Sequence, residues 1–275
     1  PGRVIASRST RPFAKALLAA AGMLLVVSPA QVSARTESSY RLAQGEVAAW
    51  QGSTQRSLWA QGGQLRPQAS QLIELVRNLR LDGLDPDAYR VHNLEGAVRA
   101  AFGGNPRDVQ KADFMLSQTL VAIARDMRAA RSNEMKFADP AAIPPAPSAQ
   151  LLLNSAAAAP SLGEWLDRMP WMHPAYSALR GAMASAKDGR EAQLIRLNME
   201  RARVFPSALQ PGRYVMVDAA AARLYMVENG VVKDSMRVVV GRADNPTPML
   251  AGMIRFAILN PYWNAPPDLA ATRLA

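Results

Sequence analysis

The chain has 275 residues, of which 49% are hydrophobic, and it carries a net charge of +10 and no cysteine. The length is sufficient for one large core or two small ones, and the absence of cysteine excludes disulfide bonds and thiolate metal sites. The positive charge is compatible with attraction to an anionic polymer or a membrane surface, or with an ordinary solvated surface. A nucleic-acid partner is not indicated, because the sequence has no basic patch with interleaved aromatic residues and no recognition-helix pattern.

Residues 1–34 have the pattern of a secretory signal peptide. Four basic residues precede the apolar run Ala16–Val27, and Val32-Ser33-Ala34 fits a small-x-small cleavage site. The apolar run is shorter than the roughly 20 residues that a membrane-spanning helix needs. The pattern predicts an exported chain whose mature part has 28 basic and 22 acidic residues, a charge of +6. An uncleaved membrane anchor is the alternative.

The part of the chain from Arg35 to about Arg131 is predicted to be helical. Behind a cap at Ser70, apolar residues recur at the i, i+3, i+4 and i+7 spacing of one helix face. These residues are Leu72, Leu75, Val76 and Leu79. Gly83 is expected to end the helix in the left-handed conformation, with Leu84 as the following apolar contact.

The dipeptides Asp85-Pro86 and Asn105-Pro106 each predict the start of a helix, the first short and the second long. Proline suits the first helical position because the N–H that it lacks would have no partner within the helix. A helix that begins at Asn93, continues to Ala101 and is closed by Gly103-Gly104 is predicted between these two helices. The buried stripe of the long helix is predicted to consist of Phe114, Leu116, Leu120, Ile123 and Met127.

Residues 138–160 contain five prolines and many alanines, which predicts an extended connector. The string Leu151–Asn154 favours a short helix within it. After the connector, Ser161 is expected to cap one helix and Pro174 to begin another.

The last predicted helix extends from Glu191 to about Val204. Its core candidates are Leu194, Leu197 and Met199, and three arginines are expected on its other side: Arg196, Arg201 and Arg203. Pro206 disfavours a helical Phe205, which ends the helix.

The segment Arg213–Ala275 begins as β-strands. Apolar residues alternate at Val215 and Val217, and Asn229-Gly230 between apolar runs predicts a hairpin, because a type I′ turn needs positive φ at both central residues. The second strand of the hairpin is expected to include Met236–Val240 and to end at Gly241.

Five strings in the last quarter of the chain resemble the start of the L,D-transpeptidase catalytic domain (the YkuD-type fold), in its YcbB-like branch. The strings are LNMERARVFP (Leu197–Pro206), RYVMVD (Arg213–Asp218), VVVG (Val238–Gly241), NPTP (Asn245–Pro248) and NPYWNAPP (Asn260–Pro267). LRLDGLDPDAY at Leu79–Tyr89 is similar to the region that precedes this domain in the same branch.

This resemblance implies an α+β fold, with an N-terminal all-helical scaffold domain followed by an incomplete β-rich L,D-transpeptidase (YkuD-type) domain. The expected parts are a signal peptide (1–34), a helical scaffold domain (35–137), a Pro/Ala-rich connector (138–160), the continued scaffold (161–206) and the start of the catalytic domain (207–275). The family is thought to use a cysteine thiolate, a histidine that activates it and backbone N–H groups that hold the oxyanion. Because the sequence has no cysteine, we expect an N-terminal portion without a catalytic residue of its own.

The resemblance implies peptidoglycan stem peptides as the partner, no metal or nucleotide cofactor, and a location in the periplasm or cell envelope. Loose association with the membrane or wall surface is compatible with the charge. The alternative is a non-catalytic exported protein that binds peptidoglycan or acts as a scaffold. An open reading frame with a cysteine-containing segment beyond Ala275 would favour the enzyme.

The predicted substrate-binding residues are Trp263, Asn264 and Tyr262, and the family resemblance implies that Trp263 lines the substrate site. Two prolines follow Trp263 and Asn264, so the backbone is stiff there, and an indole at a cleft rim would give a peptide a large contact area. A core tryptophan is the alternative for Trp263, a structural role for Tyr262, and a turn for Asn264.

Other sites are not indicated by the sequence. His92 and His173 have no carboxylate at ligand spacing, so a zinc site is not expected, and His173 is predicted to be a helix cap or a surface residue. The loop between Gly241 and Pro248 lacks a phosphate-binding motif, and its prolines remove N–H groups that an anion site would use. The strands are also expected to expose apolar faces, which predicts aggregation and protease sensitivity after Arg213.

Overall fold

The computed structural model describes residues 29–129, 135–209 and 212–262. Within them, helices occupy the chain up to residue 202 and the main sheet follows. The helices are α1 (Pro29–Thr54), α2 (Gln68–Arg77), α3 (Val91–Ala101), α4 (Pro106–Arg128), α5 (Ala149–Ala158), α6 (Leu162–Arg168), α7 (Pro174–Met183) and α8 (Gly189–Ala202). Short 3-10 turns lie at Leu79–Asp82, Pro86–Tyr89 and Pro140–Ala142.

One hydrophobic core joins the helices of residues 29–205, which we call the helical region. Helix α4 packs against α1 on one side and α3 on another, and α7 packs against α8. The leucine and isoleucine side chains predicted as stripes are buried there, with Leu72, Leu79, Leu116, Leu120 and Ile123 fully inaccessible. Full burial of such a side chain contributes about 1.5–3 kcal/mol. Two predicted stripe members, Leu75 and Phe114, are only half-buried at the edge of the core.

Buried carboxylates attach α4 to the elements around it. Asp113 accepts hydrogen bonds from the Ser57 hydroxyl (2.7 Å), the Trp59 backbone N–H (2.7 Å) and the Gln51 amide (2.6 Å). Burial nevertheless raises the pKa of Asp113. These hydrogen bonds satisfy the buried carboxylate and attach the end of α1 and the chain after it to α4.

Several predicted helix ends are confirmed. Asn105 accepts from the N–H of Arg107, Ser161 accepts from the N–H of Glu164, and Gly83 has φ +63° at the end of its turn. The connector contains a helix at the predicted leucines, and that helix is longer than expected, with Ser148 as its cap.

Two predicted helix starts are wrong. Ser70 lies inside α2, which begins two residues earlier behind Pro67, because the fixed φ of proline already starts the helical turn. Asn93 lies inside α3, because Arg90 adopts φ +55° and redirects the chain into a helix at Val91.

Two arginines of α8 and its C-terminus are buried, although the sequence pattern placed them away from the core. Arg201 is 9% exposed and Arg203 is 1% exposed. Arg203 donates to the carboxylate of Glu200 (2.9 Å) and to the backbone carbonyls of Met127 and Asp82. Backbone carbonyl groups at the ends of other elements therefore accept the hydrogen bonds that the Arg203 guanidinium would otherwise donate to water.

Three strands form the main antiparallel sheet and pair in chain order. They are β4 (Arg213–Asp218), β5 (Arg223–Glu228) and β6 (Val231–Arg237). The predicted hairpin is confirmed, with Asn229 at φ +50° and Gly230 at φ +76°. Two small pairings complete the strands: β1 (Ala60–Gln61) with β2 (Gln64–Leu65), and β3 (Lys136–Phe137) with β7 (Leu250–Ala251).

Strand β6 ends at Arg237, so the prediction that it continues to Val240 is wrong. The chain leaves the sheet to form a loop in which the N–H of Gly241 donates to the hydroxyl of Thr247 (2.8 Å). A Cβ atom on Gly241 would overlap the Asn245 carbonyl oxygen. The glycine therefore permits a close backbone approach that ends the strand early.

The three-stranded sheet has one covered and one exposed face. Tyr214 and its register partner Val227 lie on the covered face, where Val227 is 6% exposed. The opposite face shows the expected apolar exposure, with Val215, Val217, Met226 and Met236 each between 41% and 48% exposed. None of the helices in the described ranges combines the length and apolar character needed to cross a bilayer.

Candidate functional site

Of the three predicted substrate-binding residues, one lies in the described part of the chain. Tyr262 is 94% exposed, so its phenol is free to meet a ligand. Trp263 and Asn264 lie outside the described residues. The substrate-binding role of all three stays a prediction.

Residues 252–262, which include Tyr262, lie outside the strands and present apolar side chains to solvent. Ile254, Phe256 and Ile258 alternate along this segment and are 66–76% exposed, and Leu259 is 89% exposed. Contiguous exposed apolar surface of this kind is typical of an interaction site. Residues 252–262 therefore form a surface that an extended peptide could contact, and we call it the 252–262 surface.

Strand β3 and the first residues of the connector fix the start of this surface. The N–H of Lys136 donates to the carbonyl of Met249 (2.9 Å), and the N–H of Ala138 donates to the carbonyl of Ala251 (2.8 Å). Arg255 forms an ion pair with Asp139. The Ala141 N–H and the Arg255 guanidinium lower the pKa of Asp139. A segment far earlier in the sequence thus determines where the 252–262 surface begins.

A second junction joins the sheet to the helical region at His173. The imidazole Nε2 lies 3.0 Å from the hydroxyl of Tyr214 on β4, and the Nδ1 accepts the N–H of Ala175 (3.1 Å) at the start of α7. The predicted role of His173 as a helix cap is confirmed. The alternative of a surface residue is wrong, because the side chain is 5% exposed.

Burial sets the protonation state of His173. Since Nδ1 accepts a backbone N–H, the single proton of the neutral ring lies on Nε2 and is donated to Tyr214. Burial, followed by the charge of Arg128, lowers the pKa of His173 to about 4. Burial also raises the pKa of the Tyr214 phenol. Both groups are neutral at pH 7.

Arg128 and Phe205 enclose the imidazole. Arg128 is 7% exposed and donates to the Phe205 carbonyl (2.5 Å), and burial lowers its pKa to about 10. The Phe205 ring meets His173 edge-on, with the ring centroids 5.3 Å apart. The junction thus contains a cation and an aromatic ring next to a neutral imidazole.

The arrangement combines exposed apolar side chains with a buried polar junction, and its residues do not include the nucleophile of cysteine chemistry. The 275 residues contain no cysteine. Among the residues that the structure describes, no three His, Asp or Glu side chains cluster as metal ligands. His92 is on the surface, where its side chain is 85% exposed.

The sequence did not single out Tyr214 or Arg128, and it placed Arg203 on the side of its helix away from the core. Tyr214 was part of an alternating strand pattern, and the arginines belong to amphipathic helices that usually expose such residues. One signal was available for His173, since His-Pro at a helix start is a capping pattern. Its partner on β4 depends on how the sheet lies on the helices.

The fold and the two junctions define a helical region that contacts a three-stranded sheet. In comparisons with known families, residues 48–183 match a scaffold domain, and residues 212–274 match an L,D-transpeptidase catalytic domain of the YkuD type. The chain therefore contains a segment that matches the L,D-transpeptidase catalytic domain, and a region that matches a scaffold domain precedes it. Neither a curated protein nor a solved structure matches the chain significantly.

Proposed function

We propose that this chain takes part in peptidoglycan cross-linking as an exported L,D-transpeptidase of the cell envelope. The observation that carries the proposal is the match of residues 212–274 to the catalytic domain, behind a scaffold domain at residues 48–183. In the proposed reaction, a thiolate attacks the carbonyl that links the third and fourth residues of a stem peptide and releases the fourth residue. The amine of a second stem then displaces the thioester, which forms the cross-link and returns the thiolate.

Within this reaction, the residues of this chain bind and position the stem peptide. The sequence contains no cysteine, so these 275 residues do not supply the thiolate. The 252–262 surface offers apolar contacts, and Trp263 and Asn264 follow it directly in the sequence. An aromatic side chain gives a peptide contact area at low conformational cost, and an amide can pair with the peptide backbone. The net positive charge favours an anionic wall polymer as the setting.

Binding and chemistry can be tested separately. The 275-residue chain is titrated with a tetrapeptide stem and followed by isothermal titration calorimetry and by NMR of the residues after Leu259. We expect saturable binding that Trp263→Ala weakens about tenfold, the equivalent of about 1.4 kcal/mol. We expect no release of the fourth residue, because the thiolate is absent.

The matched control is Phe102→Ala, which removes another exposed aromatic side chain, 68% exposed, after α3 in the helical region. Its affinity for the tetrapeptide should equal that of the parent chain. Absence of binding, or equal losses in the two variants, would contradict the proposed substrate. Release of the fourth residue by the parent chain would contradict the assignment of a purely binding role to these residues.

A further inference from the structure

The junction at His173 connects the start of α7 in the helical region to β4 in the sheet. We propose that His173 and Tyr214 form a pH-sensitive latch, which holds the sheet on the helical region while His173 is neutral and releases it when the imidazole is protonated. This inference concerns the connection between two parts of the chain, and it holds for any ligand of the 252–262 surface.

The first argument is the hydrogen-bond geometry of the imidazole. In the neutral ring, Nδ1 accepts the Ala175 N–H and Nε2–H donates to Tyr214. A second proton must go to Nδ1, where the Ala175 N–H already points. Two donors would then face each other 3.1 Å apart, so the cap of α7 and the position of the ring cannot both be kept. Protonation therefore opposes the closed arrangement directly.

The second argument is the electrostatic surroundings of the ring. Among the described residues, the titratable or charged groups that act on His173 from the packed elements are Arg128 at the end of α4 and Tyr214 on β4. Arg128 is a cation that repels an imidazolium, and Tyr214 is a neutral phenol. Phe205 contributes an aromatic edge, whose partial charge is positive. No described neighbour compensates a charge on a side chain that is 5% exposed.

The third argument is the direction of the proton linkage. The pKa of His173 is about 4 in the closed state and near the ordinary value of about 6.5 in a solvated open state. A lowered pKa means that the closed state loses stability as the pH falls from about 6.5 toward 4. Between pH 7.5 and pH 5.0, the ratio of open to closed molecules is expected to rise about 30-fold.

Opening would free one attachment of the sheet and leave the other. The β3–β7 pairing and the Arg255–Asp139 ion pair lie at a different point of the chain and do not involve His173. The chain that follows the sheet would then remain attached to β3 at Leu250, while β4 gains freedom. An acidic medium would in this way change the orientation of the sheet on the helical region without unfolding the chain.

The absence of native cysteine allows the opening to be measured with one introduced thiol. Val227 is 6% exposed and faces the same side of the sheet as Tyr214. In a Val227→Cys chain, the rate of reaction with dithiodipyridine is divided by the rate of the urea-unfolded chain at the same pH. The quotient measures the open fraction. We expect this quotient to rise about 30-fold from pH 7.5 to pH 5.0.

Two histidine variants make the test specific. His173→Asn keeps a side-chain oxygen that can cap α7 but cannot titrate, so its quotient should be raised at pH 7.5 and constant down to pH 5.0. His92→Asn removes the exposed histidine and should keep the full pH dependence. A constant quotient in the parent chain, or an unchanged pH dependence in His173→Asn, would overturn the latch.

A second measurement covers the case in which His173→Asn does not fold. The chain contains only two histidines, so NMR of a histidine-labelled chain that carries His92→Asn and Val227→Cys observes His173 alone. We expect a neutral ring with its proton on Nε2 at pH 7.5, and a protonated population only together with exposure of the introduced thiol. Titration of His173 near its ordinary pKa while that thiol stays protected would overturn the latch.

Discussion

The imidazole of His173 and the hydroxyl of Tyr214 are separated by 41 positions in sequence and by 3.0 Å in space. The first belongs to the helical region and the second to the strand that begins the catalytic-domain segment. Their hydrogen bond therefore connects the part of the chain that matches a scaffold domain to the part that matches a catalytic domain. It gives the helical region a physical role, which is to orient the sheet.

The buried carboxylate of Asp82 is expected to be essential for the stability of the helical region. It accepts from the hydroxyl of Tyr176 (2.8 Å) and from the Nε of Arg180 (3.0 Å), and it is 1% exposed. Asp82→Asn removes the charge that pairs with Arg180 and should lower the free energy of unfolding by about 3 kcal/mol. Urea unfolding followed by far-UV circular dichroism measures the change. The exposed Asp87→Asn is the control, and equal effects would contradict the prediction.

Gly241 is expected to tolerate no side chain. A Cβ atom there would overlap the Asn245 carbonyl oxygen and lie 2.6 Å from the Thr247 nitrogen, both of which are backbone atoms. Gly241→Ala should therefore separate the two sides of the loop and abolish the hydrogen bond from Gly241 to Thr247. Amide hydrogen exchange at position 241 should become faster, while Gly212→Ala, which adds a methyl group in open space, should leave it unchanged. Equal exchange in both variants would show that the close approach is not needed.

The exposed face of the sheet is expected to promote association. Val217 and Met236 are each 48% exposed on this face. Replacement of both by threonine should reduce concentration-dependent light scattering, and it should change the free energy of unfolding by no more than about 0.5 kcal/mol. The buried Val227→Thr should instead destabilise the sheet by about 1–2 kcal/mol. If the double threonine variant scattered light as the parent does, this face would not be the cause of association.

The backbone pairing between the connector and β7 is expected to protect Arg255 from trypsin. Ala138→Pro removes the N–H that donates to the Ala251 carbonyl, and one such hydrogen bond contributes about 1 kcal/mol. Cleavage after Arg255 should therefore become about fivefold faster. Ala138→Gly keeps the N–H and should be cleaved nearly as slowly as the parent chain. Equal cleavage of the proline and glycine variants would argue against the pairing.

Local signals in the sequence predicted much of the fold. The Asn229-Gly230 turn and the caps at Asn105 and Ser161 depend on residues within a few positions of each other, and all are confirmed. Ser70 failed as a cap because Pro67 determined the helix start. Arg203 failed as a surface residue because distant backbone carbonyls accept its hydrogen bonds. The spacing of residues along the sequence does not reveal hydrogen-bond acceptors that only tertiary packing brings close to Arg203.

Less of the candidate site than of the fold was predicted from the sequence. The exposed apolar strands were expected from alternation at Val215 and Val217, and they are present. The junction was not expected, because a hydroxyl on β4 and an imidazole at a helix start carry no mutual signal along the sequence. Trp263 and Asn264 rest on the sequence and on the family resemblance, since they lie outside the described residues.

A double-mutant cycle on His173 and Tyr214 tests the connection between the two domains most directly. Tyr214→Phe removes the hydroxyl, His173→Asn shortens the side chain, and the double variant removes both sides of the contact. The free energies of unfolding at pH 7.5 should give a coupling energy of about 1 kcal/mol, which should become smaller at pH 5.0 as the open state gains population. Additive effects within about 0.3 kcal/mol at pH 7.5 would show that the two residues do not hold the sheet on the helical region.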